Sequence, residues 1–369
     1  MKTPNIVISL LILLLTTLQG CSDESPIRIG FIAGTSGRVA DLGVGGRNGA
    51  ILAVEQFNAA GGIDGRQVEL LIRDDQQNAT LAAKHANELV ELKVAAILGP
   101  MTSSMAKVVE PITTAAKVLT LASTVTTNDL TAKDDYFFRT LAGTQGYARK
   151  NALYQINQGI NSFAIAFDSG NLAYTRSWSD DFAQEIENNN GEITLLLPFK
   201  SSEQAPFPEI ARQLVNSGAK GIALICNSVD AALLAQHIRK LDTEVALVAS
   251  EWAGTERLIE LGGQAIEGIT VAQFMDRYGQ QPAYIEFSKN FVDRFGDEPG
   301  YPALLTYNAA NIVLKAMQQQ TSDEHLKQTL LRIKTFQGVQ EPLTFDAYGD
   351  SQTRTFITQV IDGQFRVVK

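Results

Sequence analysis

The chain has 369 residues, of which 31 are basic and 40 acidic, so its formal net charge is −9 at neutral pH. An acidic chain without a basic run is a poor candidate for a nucleic-acid-binding protein, because phosphate contacts need clustered lysine and arginine. The length is sufficient for two domains of ordinary size. We therefore expect a two-domain protein with no nucleic acid among its partners.

The first 20 residues have the pattern of a secretory signal peptide. Lys2 gives a positive start, and the apolar stretch 6–15 that follows is too short to span a membrane as a helix. The ending Leu18-Gln19-Gly20-Cys21 resembles a bacterial lipoprotein cleavage site, in which the cysteine becomes the lipid-bearing first residue. We expect residues 1–20 to be removed, Cys21 to be lipidated and residues 21–26 to form a tether. An ordinary signal peptide with a chance cysteine is the alternative.

The residues around this cysteine indicate where the protein is anchored. Ser22 follows Cys21, whereas aspartate there is the inner-membrane retention signal of some bacteria with two membranes. We therefore expect a periplasmic protein held to the membrane by lipid, at the outer membrane rather than the inner one if the host has both. The second cysteine, Cys226, lies in an apolar run and is interpreted as a buried small hydrophobic residue. No intramolecular disulfide is then expected.

Strands and helices are predicted to alternate from residue 27 onward, in two series that meet near Thr140. The first series has strands at 27–33, 67–73, 94–98, 118–121 and 136–140, with helices between them. The second has strands at 163–167, 192–198, 221–226 and 245–249, followed by helices at 282–295, 302–319 and 323–333 and strands at 342–345, 355–361 and 365–368. Such alternation is typical of parallel sheets covered by helices on both faces.

The predicted fold class is α/β, with two doubly wound lobes that have parallel central sheets. The N-terminal lobe is predicted to comprise residues 27–141 plus 275–338, and the C-terminal lobe residues 142–274 plus 339–369. This division assumes that the late helices return to the first lobe and that the last strands cross back. The lobes would then be joined by a hinge that the chain crosses several times, which fits the lack of a Pro- or Ser-rich linker in the sequence.

Two neighbouring strands of the first series each end in a hydroxyl-rich segment. Gly99-Pro100 ends one strand, and Thr102 and Ser103 follow as candidate N-cap residues of a helix. The next strand opens into the hydroxyl-rich segment 123–127. Because a helix N-terminus presents unpaired N–H groups and a positive dipole end, it suits a carboxylate or a phosphate. An equally good interpretation is that Ser103 only caps its helix.

Polar residues follow the predicted strands of both series, at the edge where wound α/β sheets bind ligands. Loops after strands are polar in general, so the coincidence in both halves matters more than any single cluster. Together they predict a cleft between the lobes that is lined from both sides. The clusters are Ser36, Ser103, Thr124 with Thr126, Asn171 with Tyr174, Asn227 with Ser228, and Glu251.

The sequence does not favour an enzyme. The glycine-rich segment 43–49 superficially resembles a dinucleotide-binding loop, but it lies some ten residues after its strand and within a helical pattern. The three histidines, His85, His237 and His325, fall within predicted helices, and neither a Walker motif nor a metal-ligand spacing of Cys and His occurs. We therefore predict a protein that is not an enzyme and that uses no cofactor and no metal.

This arrangement resembles the type I periplasmic binding proteins, specifically the leucine/isoleucine/valine-binding family of ABC-transporter substrate-binding proteins. The resemblance covers essentially the whole mature chain, and its most specific motif is Asn58-Ala59-Ala60-Gly61-Gly62-Ile63-Asp64-Gly65-Arg66. Further markers are Ile27-Arg28-Ile29-Gly30 leading to Ser36-Gly37, Arg47-Asn48-Gly49-Ala50, Asp74-Asp75, Gly99-Pro100 with Ser103, and Thr124 and Thr126 with Leu130-Thr131. The resemblance implies a monomer that captures a small ligand, in the first place an amino acid, and delivers it to an ABC-transporter permease.

The resemblance also implies roles for individual residues. The α-carboxylate of an amino acid would lie on the hydroxyl and N–H groups at Ser103 and Ser104, where the helix begins. Thr124 would contribute backbone contacts, and Thr126 would hold the α-amino group together with Glu251. For Glu251, capping of the following turn or pairing with a basic side chain such as that of Arg257 is the alternative.

The residues expected to contact the ligand side chain match the family less closely. Tyr174 and Leu42 correspond to an aromatic contact in the second lobe and a side-chain contact in the first. Asn227 stands where the family often has an aromatic residue, and Ala122-Ser123 stands where it often has Ser-Pro. The identity of the ligand therefore stays open, including a carboxylate or amide that is not an amino acid. A lipoprotein that presents its bound form to a signalling partner is the alternative to transport.

Overall fold

The structure is a computed structural model that describes residues 25–368. The predicted signal peptide, Cys21 and residues 21–24 of the predicted tether lie outside the described residues. Within 25–368, no helix combines the length and the apolar character that crossing a bilayer requires.

The first lobe is built on a sheet of five parallel strands in the order β2-β1-β3-β4-β5. These strands are β1 (Ile27–Ala33), β2 (Val68–Asp74), β3 (Ala96–Leu98), β4 (Leu119–Ala122) and β5 (Phe137–Arg139). Helices α1 (Ala40–Ala59), α2 (Ala79–Glu91) and α3 (Ser103–Ala115) connect them. Strands β3 and β4 are buried along their whole length, as expected for short apolar runs in a sheet covered on both faces.

The second lobe is built on a seven-stranded sheet in the order β14-β13-β10-β9-β8-β6-β7. Its strands are β6 (Ser162–Asp168), β7 (Glu192–Phe199), β8 (Gly221–Ile225), β9 (Ala246–Ala249), β10 (Thr270–Gln273), β13 (Phe356–Ile361) and β14 (Gln364–Val367). Its helices are α4 (Gln145–Asn157), α5 (Leu172–Asn188), α6 (Phe207–Asn216), α7 (Ser228–Arg239) and α8 (Glu256–Gly262). The strands from β6 to β10 pair in parallel, whereas β13 and β14 join the edge in antiparallel orientation.

The late helices α9 (Pro282–Phe295), α10 (Tyr301–Gln318) and α11 (Leu326–Ile333) follow the second sheet in the chain. Helix α10 returns to the first lobe, where it packs along α1 and against β3 and β4. Glycine permits this close approach, because a Cβ atom on Gly49 would lie 2.2 Å from the carbonyl oxygen of Ala303. Beyond α11, a small hairpin is formed by β11 (Thr335–Gln337) and β12 (Pro342–Thr344).

The chain passes between the lobes after β5, after β10 and between β12 and β13. Strand β12, which the predicted boundary at residue 339 assigns to the C-terminal lobe, pairs with β11 and with neither large sheet. The domain boundaries therefore stay predictions. The α/β fold with two doubly wound lobes is confirmed, with the difference that β13 and β14 make the second sheet mixed.

Short 3₁₀ helices occupy several of the loops that follow strands. Their bounds are Gly37–Val39, Asn128–Leu130, Ser169–Asn171, Glu251–Ala253 and Gly263–Ile266. Three of them lie just beyond β1, β6 and β9, on the edge where both sheets present the carboxyl ends of their parallel strands.

Candidate functional site

A small cavity lies between the lobes, beyond the carboxyl ends of the parallel strands. Its lining comes from both lobes and combines hydroxyl, carboxyl and aromatic groups. The first lobe and helix α10 contribute Leu42, Met101, Ser103, Thr124, Thr126 and Tyr301, and the second lobe contributes Asn171, Tyr174, Glu251, Trp252 and Phe274.

On the first-lobe side, the Ser103 hydroxyl joins the start of α3 to the loop after β4. Its Oγ accepts hydrogen bonds from the backbone N–H groups of Thr126 and Thr127, each at 3.3 Å. The N-cap of α3 is Thr102, which makes no side-chain capping bond. Ser103 therefore does not cap the helix, and its own hydroxyl hydrogen remains available for donation into the cavity.

Two threonines of the loop after β4 face the same cavity in different ways. The Thr124 hydroxyl donates a 2.6 Å hydrogen bond to the backbone oxygen of Met101, which fixes the loop against the segment before α3. The Thr126 hydroxyl is buried and has no hydrogen-bond partner among the described residues. Thr126 is therefore the threonine whose hydroxyl is free for a ligand.

On the second-lobe side, Glu251 directly follows β9 and is only 3% exposed. Its Oε2 accepts a 2.9 Å hydrogen bond from Nε1 of Trp178, whereas its Oε1 has no partner within residues 25–368. Burial raises the pKa of Glu251 to about 7, against the opposing effect of hydrogen bonds to the carboxylate. Arg257 pairs with Glu260 at 2.9 Å and does not neutralise Glu251. The predicted alternative of an Arg257–Glu251 pair is therefore wrong.

Unpartnered polar atoms concentrate around Glu251. Leaving a buried polar atom without a hydrogen bond costs on the order of 1–3 kcal/mol, so natural proteins keep few of them. In the described part of the chain, those at or next to the cavity are Thr126 Oγ1, Tyr174 OH, Ser250 Oγ, Glu251 Oε1 and Trp252 Nε1. Their concentration here indicates a site for a ligand that carries complementary polar groups.

The remaining wall of the cavity is apolar and largely aromatic. The Phe274 and Tyr301 rings lie 5.8 Å apart between centroids, and Tyr174 meets Trp252 edge to face at the same distance. Sequence reasoning missed Met101, Phe274 and Tyr301. Phe274 follows β10, a strand of four residues that the pattern did not predict, and Tyr301 begins a helix far along the chain that only the fold returns to the cleft.

Of the residues predicted for the site, Leu42, Ser103, Thr124, Thr126, Tyr174 and Glu251 line the cavity. Ser104 lies beside it and bridges the lobes: its N–H donates to Oδ1 of Asn171 at 3.0 Å, and its Oγ accepts from the Ala173 N–H at 3.3 Å. Asn227 also lies off the cavity, where its Oδ1 accepts the Asp230 N–H at 3.0 Å and caps α7. Ligand contact by these two residues stays a prediction.

A second set of polar contacts joins the lobes at the rim of the cleft. Arg38 of the first lobe donates from Nε to Oδ1 of Asp230 at 2.8 Å. Asp41 accepts hydrogen bonds from the hydroxyls of Ser228 and Thr255, each at 2.6 Å. We call these five residues the clasp. Of these five, sequence reasoning had named only Ser228 as a cleft residue, because only the closed arrangement brings the two strand edges together.

Other chemically reactive groups lie apart from this site. His85 contacts Glu88 through Nδ1 at 3.1 Å, and His325 caps α11. Cys226 is a buried free thiol, in agreement with its apolar sequence context. Within residues 25–368, no group of three or more His, Cys, Asp or Glu side chains is arranged to hold a metal ion.

A family model described as periplasmic binding protein matches residues 26–364. The chain belongs to the periplasmic binding protein family. A similar curated relative is the leucine-, isoleucine-, valine-, threonine-, and alanine-binding protein of Pseudomonas aeruginosa, which is 23% identical over 334 residues, 89% of this chain and 88% of that protein. The Leu/Ile/Val-binding protein of Escherichia coli is 22% identical over 330 residues, 88% of each chain.

Solved structures of periplasmic binding proteins agree with this fold. The leucine binding protein LivK of Thermotoga maritima matches with a TM-score of 0.85 at 21% identity, over 93% of this chain and 98% of that one. A solute binding protein of R. palustris in complex with benzoate matches with a TM-score of 0.85 at 15% identity, over 93% and 96% of the two chains. The resemblance to the leucine/isoleucine/valine-binding family is confirmed. Membership of this solute-binding family implies a periplasmic location.

Proposed function

We propose that this periplasmic binding protein captures a free amino acid in the cleft between its lobes and delivers it to an ABC-transporter permease. The observation that carries the proposal is the pairing, across one small cavity, of an anion seat at Ser103 with the buried unpaired oxygen of Glu251. An amino acid carries an anion and a cation on one carbon atom. The two groups of the cavity match these two charges.

The anion end is the start of α3. The Ser103 hydroxyl is aimed at the loop of Thr124 and Thr126, and the first N–H groups of the helix have no partner within the helix. The Ser104 N–H is already donated to Asn171, so the Ser103 hydroxyl, the other N–H groups of the first turn and the positive end of the helix dipole would converge on a carboxylate.

The cation end is Glu251 with Thr126. A carboxylate held in a dry cavity is destabilised unless a cation pairs with it, and the raised pKa of Glu251 reflects this cost. An ammonium group would donate to Oε1 of Glu251 and to the Thr126 hydroxyl, both of which lack a partner among the described residues. The names of the curated relatives, which include amino-acid-binding proteins, support this ligand class.

Several features of the proposal concern the protein in its cell. We include in it a lipid on Cys21, a location at the outer membrane where the host has two membranes, a monomeric state and the absence of enzymatic activity. The support is the lipoprotein-like Leu18-Gln19-Gly20-Cys21 sequence followed by Ser22. Mass spectrometry of the mature N-terminus tests the lipid, and an unmodified cysteine there would contradict it.

The test of the ligand class uses Glu251→Gln, which keeps the size of the side chain and removes its charge. Breaking a buried ion pair by removing one partner costs about 3–5 kcal/mol, so this variant should lose that much affinity for an amino acid. It should lose far less affinity for the deaminated analogue of the same ligand. Calorimetric titration of both ligands measures the two losses.

The matched control is Glu260→Gln, because Glu260 is exposed on α8 and pairs with Arg257 away from the cavity. This variant should bind both ligands like the wild type. If Glu251→Gln lowered the affinity for the amino acid and its deaminated analogue equally, the ammonium group would be removed from the proposal.

A carboxylate without an amino group is the second candidate ligand, since Phe274, Tyr301 and Trp252 form an aromatic wall. Such an anion would place a second negative charge beside Glu251, whose ionised form burial already disfavours. The amino acid is therefore the better match, and the deaminated analogue in the same titration distinguishes the two.

A further inference from the structure

The indole N–H of Trp252 is a polar group that the proposed function leaves without a role. Trp252 lines the cavity and is 5% exposed, and its Nε1 has no hydrogen-bond partner within residues 25–368. Trp178, the other tryptophan of the chain, shows the usual arrangement, since its Nε1 donates to Glu251 at 2.9 Å. One tryptophan donates to Glu251 and the other follows Glu251 in the chain, and only the first has a partner for its N–H.

From this we infer that the bound amino acid carries a hydrogen-bond acceptor oxygen on its side chain, for which the Trp252 N–H is the donor. The inference rests on the proposed function and specifies its substrate class: small amino acids with a side-chain hydroxyl or amide oxygen. It excludes purely aliphatic amino acids as the preferred ligands.

The ammonium group of the ligand cannot be the hydrogen-bond partner of the Trp252 N–H. An indole N–H is a donor only, and an ammonium group is also a donor only. The ammonium protons instead match unpartnered atoms of the cavity lining that can accept, which include Oε1 of Glu251 and the Thr126 hydroxyl. Trp252 needs an acceptor from another part of the ligand.

The carboxylate of the ligand is directed to the first lobe, away from Trp252. Under the proposed function, its oxygens would accept from the Ser103 hydroxyl and from N–H groups at the start of α3. Trp252 belongs to the second lobe and directly follows Glu251, the cation end of the site. An acceptor facing Trp252 therefore has to come from the ligand side chain.

The packing of the Trp252 ring against Tyr174 holds Trp252 in place. Its ring meets Tyr174 edge to face, with centroids 5.8 Å apart and an interplanar angle of 89°. A buried indole in such packing cannot turn its N–H to solvent without leaving the core. A ligand lacking an acceptor would leave this N–H unpaired, and a site built around a hydrogen bond discriminates strongly against such ligands.

The test uses pairs of amino acids of similar shape, of which only one carries a side-chain acceptor: threonine with valine and serine with 2-aminobutyrate, where a methyl group replaces the hydroxyl, and asparagine with leucine, where two methyl groups replace the amide oxygen and nitrogen. In the wild type, we expect the oxygen-bearing member of any pair that binds to bind at least about tenfold more tightly, as loss of one buried hydrogen bond implies. In Trp252→Phe, which keeps an aromatic ring and removes the N–H, the ratio within the pair should fall to about one. Calorimetric or fluorescence titration measures these ratios.

Trp178→Phe is the matched control. It removes the other indole N–H, which acts on Glu251 and not on the ligand side chain, so it should weaken both members of a pair and preserve their ratio. A nuclear magnetic resonance spectrum of the two indole N–H groups adds an independent readout. The Trp252 proton should shift downfield with the oxygen-bearing ligand and not with its isostere.

The possible outcomes separate this inference from the proposed function. Equal affinities within each pair, or a ratio that persists in Trp252→Phe, would overturn the inference and leave amino-acid binding intact. That result would assign the indole N–H to the face of the Tyr174 ring. Failure of all six amino acids to bind the wild type would contradict the proposed function itself.

Discussion

At the scale of single residues, the carboxyl group of Glu251 links binding to pH. Burial raises its pKa to about 7, so the ligand-free protein holds a proton there that the unfolded chain would release near its ordinary value of 4.5. An ammonium ligand requires the ionised form. The affinity for an amino acid should therefore reach its maximum above pH 7 and fall by up to about tenfold per pH unit below it.

The same shift predicts how the stability of the ligand-free protein depends on pH. Since the folded state binds this proton more tightly than the unfolded state, the contribution of Glu251 to the free energy of unfolding falls as pH rises from 4.5 to 7, by at most about 3 kcal/mol. Chemical denaturation across this range should show a shallower decline for Glu251→Gln than for the wild type.

Three other carboxyl groups, those of Asp75, Asp135 and Asp168, have pKa values raised by burial and would affect a measurement on the wild type alone. Burial raises the pKa of Asp75 and of Asp135 to about 6, so both contribute to the pH dependence with the same sign as Glu251. The difference between the wild type and Glu251→Gln isolates Glu251. Parallel pH profiles for the two proteins would show that Glu251 titrates at its ordinary value.

At this scale, the sequence could predict which polar side chains lie just beyond each strand. Ser103, Thr126 and Glu251 each lie within five residues of the end of a predicted strand, and the fold brings them to one cavity. Asn227 obeys the same rule, yet its side chain is used within its own loop to cap α7. A polar residue after a strand has two uses, and sequence spacing does not distinguish them, because both place it at the same edge.

At the scale of elements, the clasp holds the loop before α1 against the start of α7. Asp230 is fully buried, and Arg38 pairs with it while its guanidinium also lies 5.7 Å from the centroid of the Phe207 ring. An ion pair buried between two lobes is formed only when they are closed. Its energy therefore contributes to closure and, through closure, to the affinity for any ligand.

Arg38→Ala should weaken binding without changing selectivity. Removing one partner of a buried pair is strongly destabilising, but Asp230 regains water when the lobes open, so we expect a loss of about 1–3 kcal/mol. The loss should be the same for an amino acid and its deaminated analogue, in contrast to that of Glu251→Gln.

Arg28→Ala, which removes an exposed pair with Glu69, should leave affinity unchanged. Calorimetry on both variants decides, and a ligand-dependent loss in Arg38→Ala would place Arg38 in the binding site.

Element prediction succeeded where apolar runs were long or clearly bounded, as in β1, β6 and the helices that follow them. It failed at β10, whose four residues, Thr270 to Gln273, include two polar side chains. The antiparallel hairpin of β13 and β14 was also not predicted, although Asp362-Gly363, both with positive φ, form the two-residue turn typical of a hairpin. The antiparallel pairing of β13 with β10 depends on the hinge crossing and not on local sequence.

At the scale of the whole molecule, the hinge crossings restrict how the lobes can move. Three segments of the described chain join the lobes, and polar contacts connect two of them. Arg139 donates from Nε to Oδ1 of Asp350 at 2.7 Å. The Thr353 hydroxyl donates to the backbone oxygen of Thr140, also at 2.7 Å. Several parallel connections favour bending about one axis over free relative rotation. The cleft opposite the hinge is then the part that opens and closes.

The final prediction follows from this geometry. A ligand held by Ser103 in one lobe and by Glu251 in the other binds the closed arrangement better than the open one, so it must shift the population toward closure. Small-angle scattering should show a smaller radius of gyration with a saturating amino acid than without it. In Arg38→Ala, where the clasp is broken, the ligand-free protein should be at least as open as the wild type, and more ligand should be needed to reach the same compact state. Identical scattering with and without a ligand that calorimetry shows to be bound would mean that the lobes do not move on binding. The clasp would then contribute only to the stability of the fold.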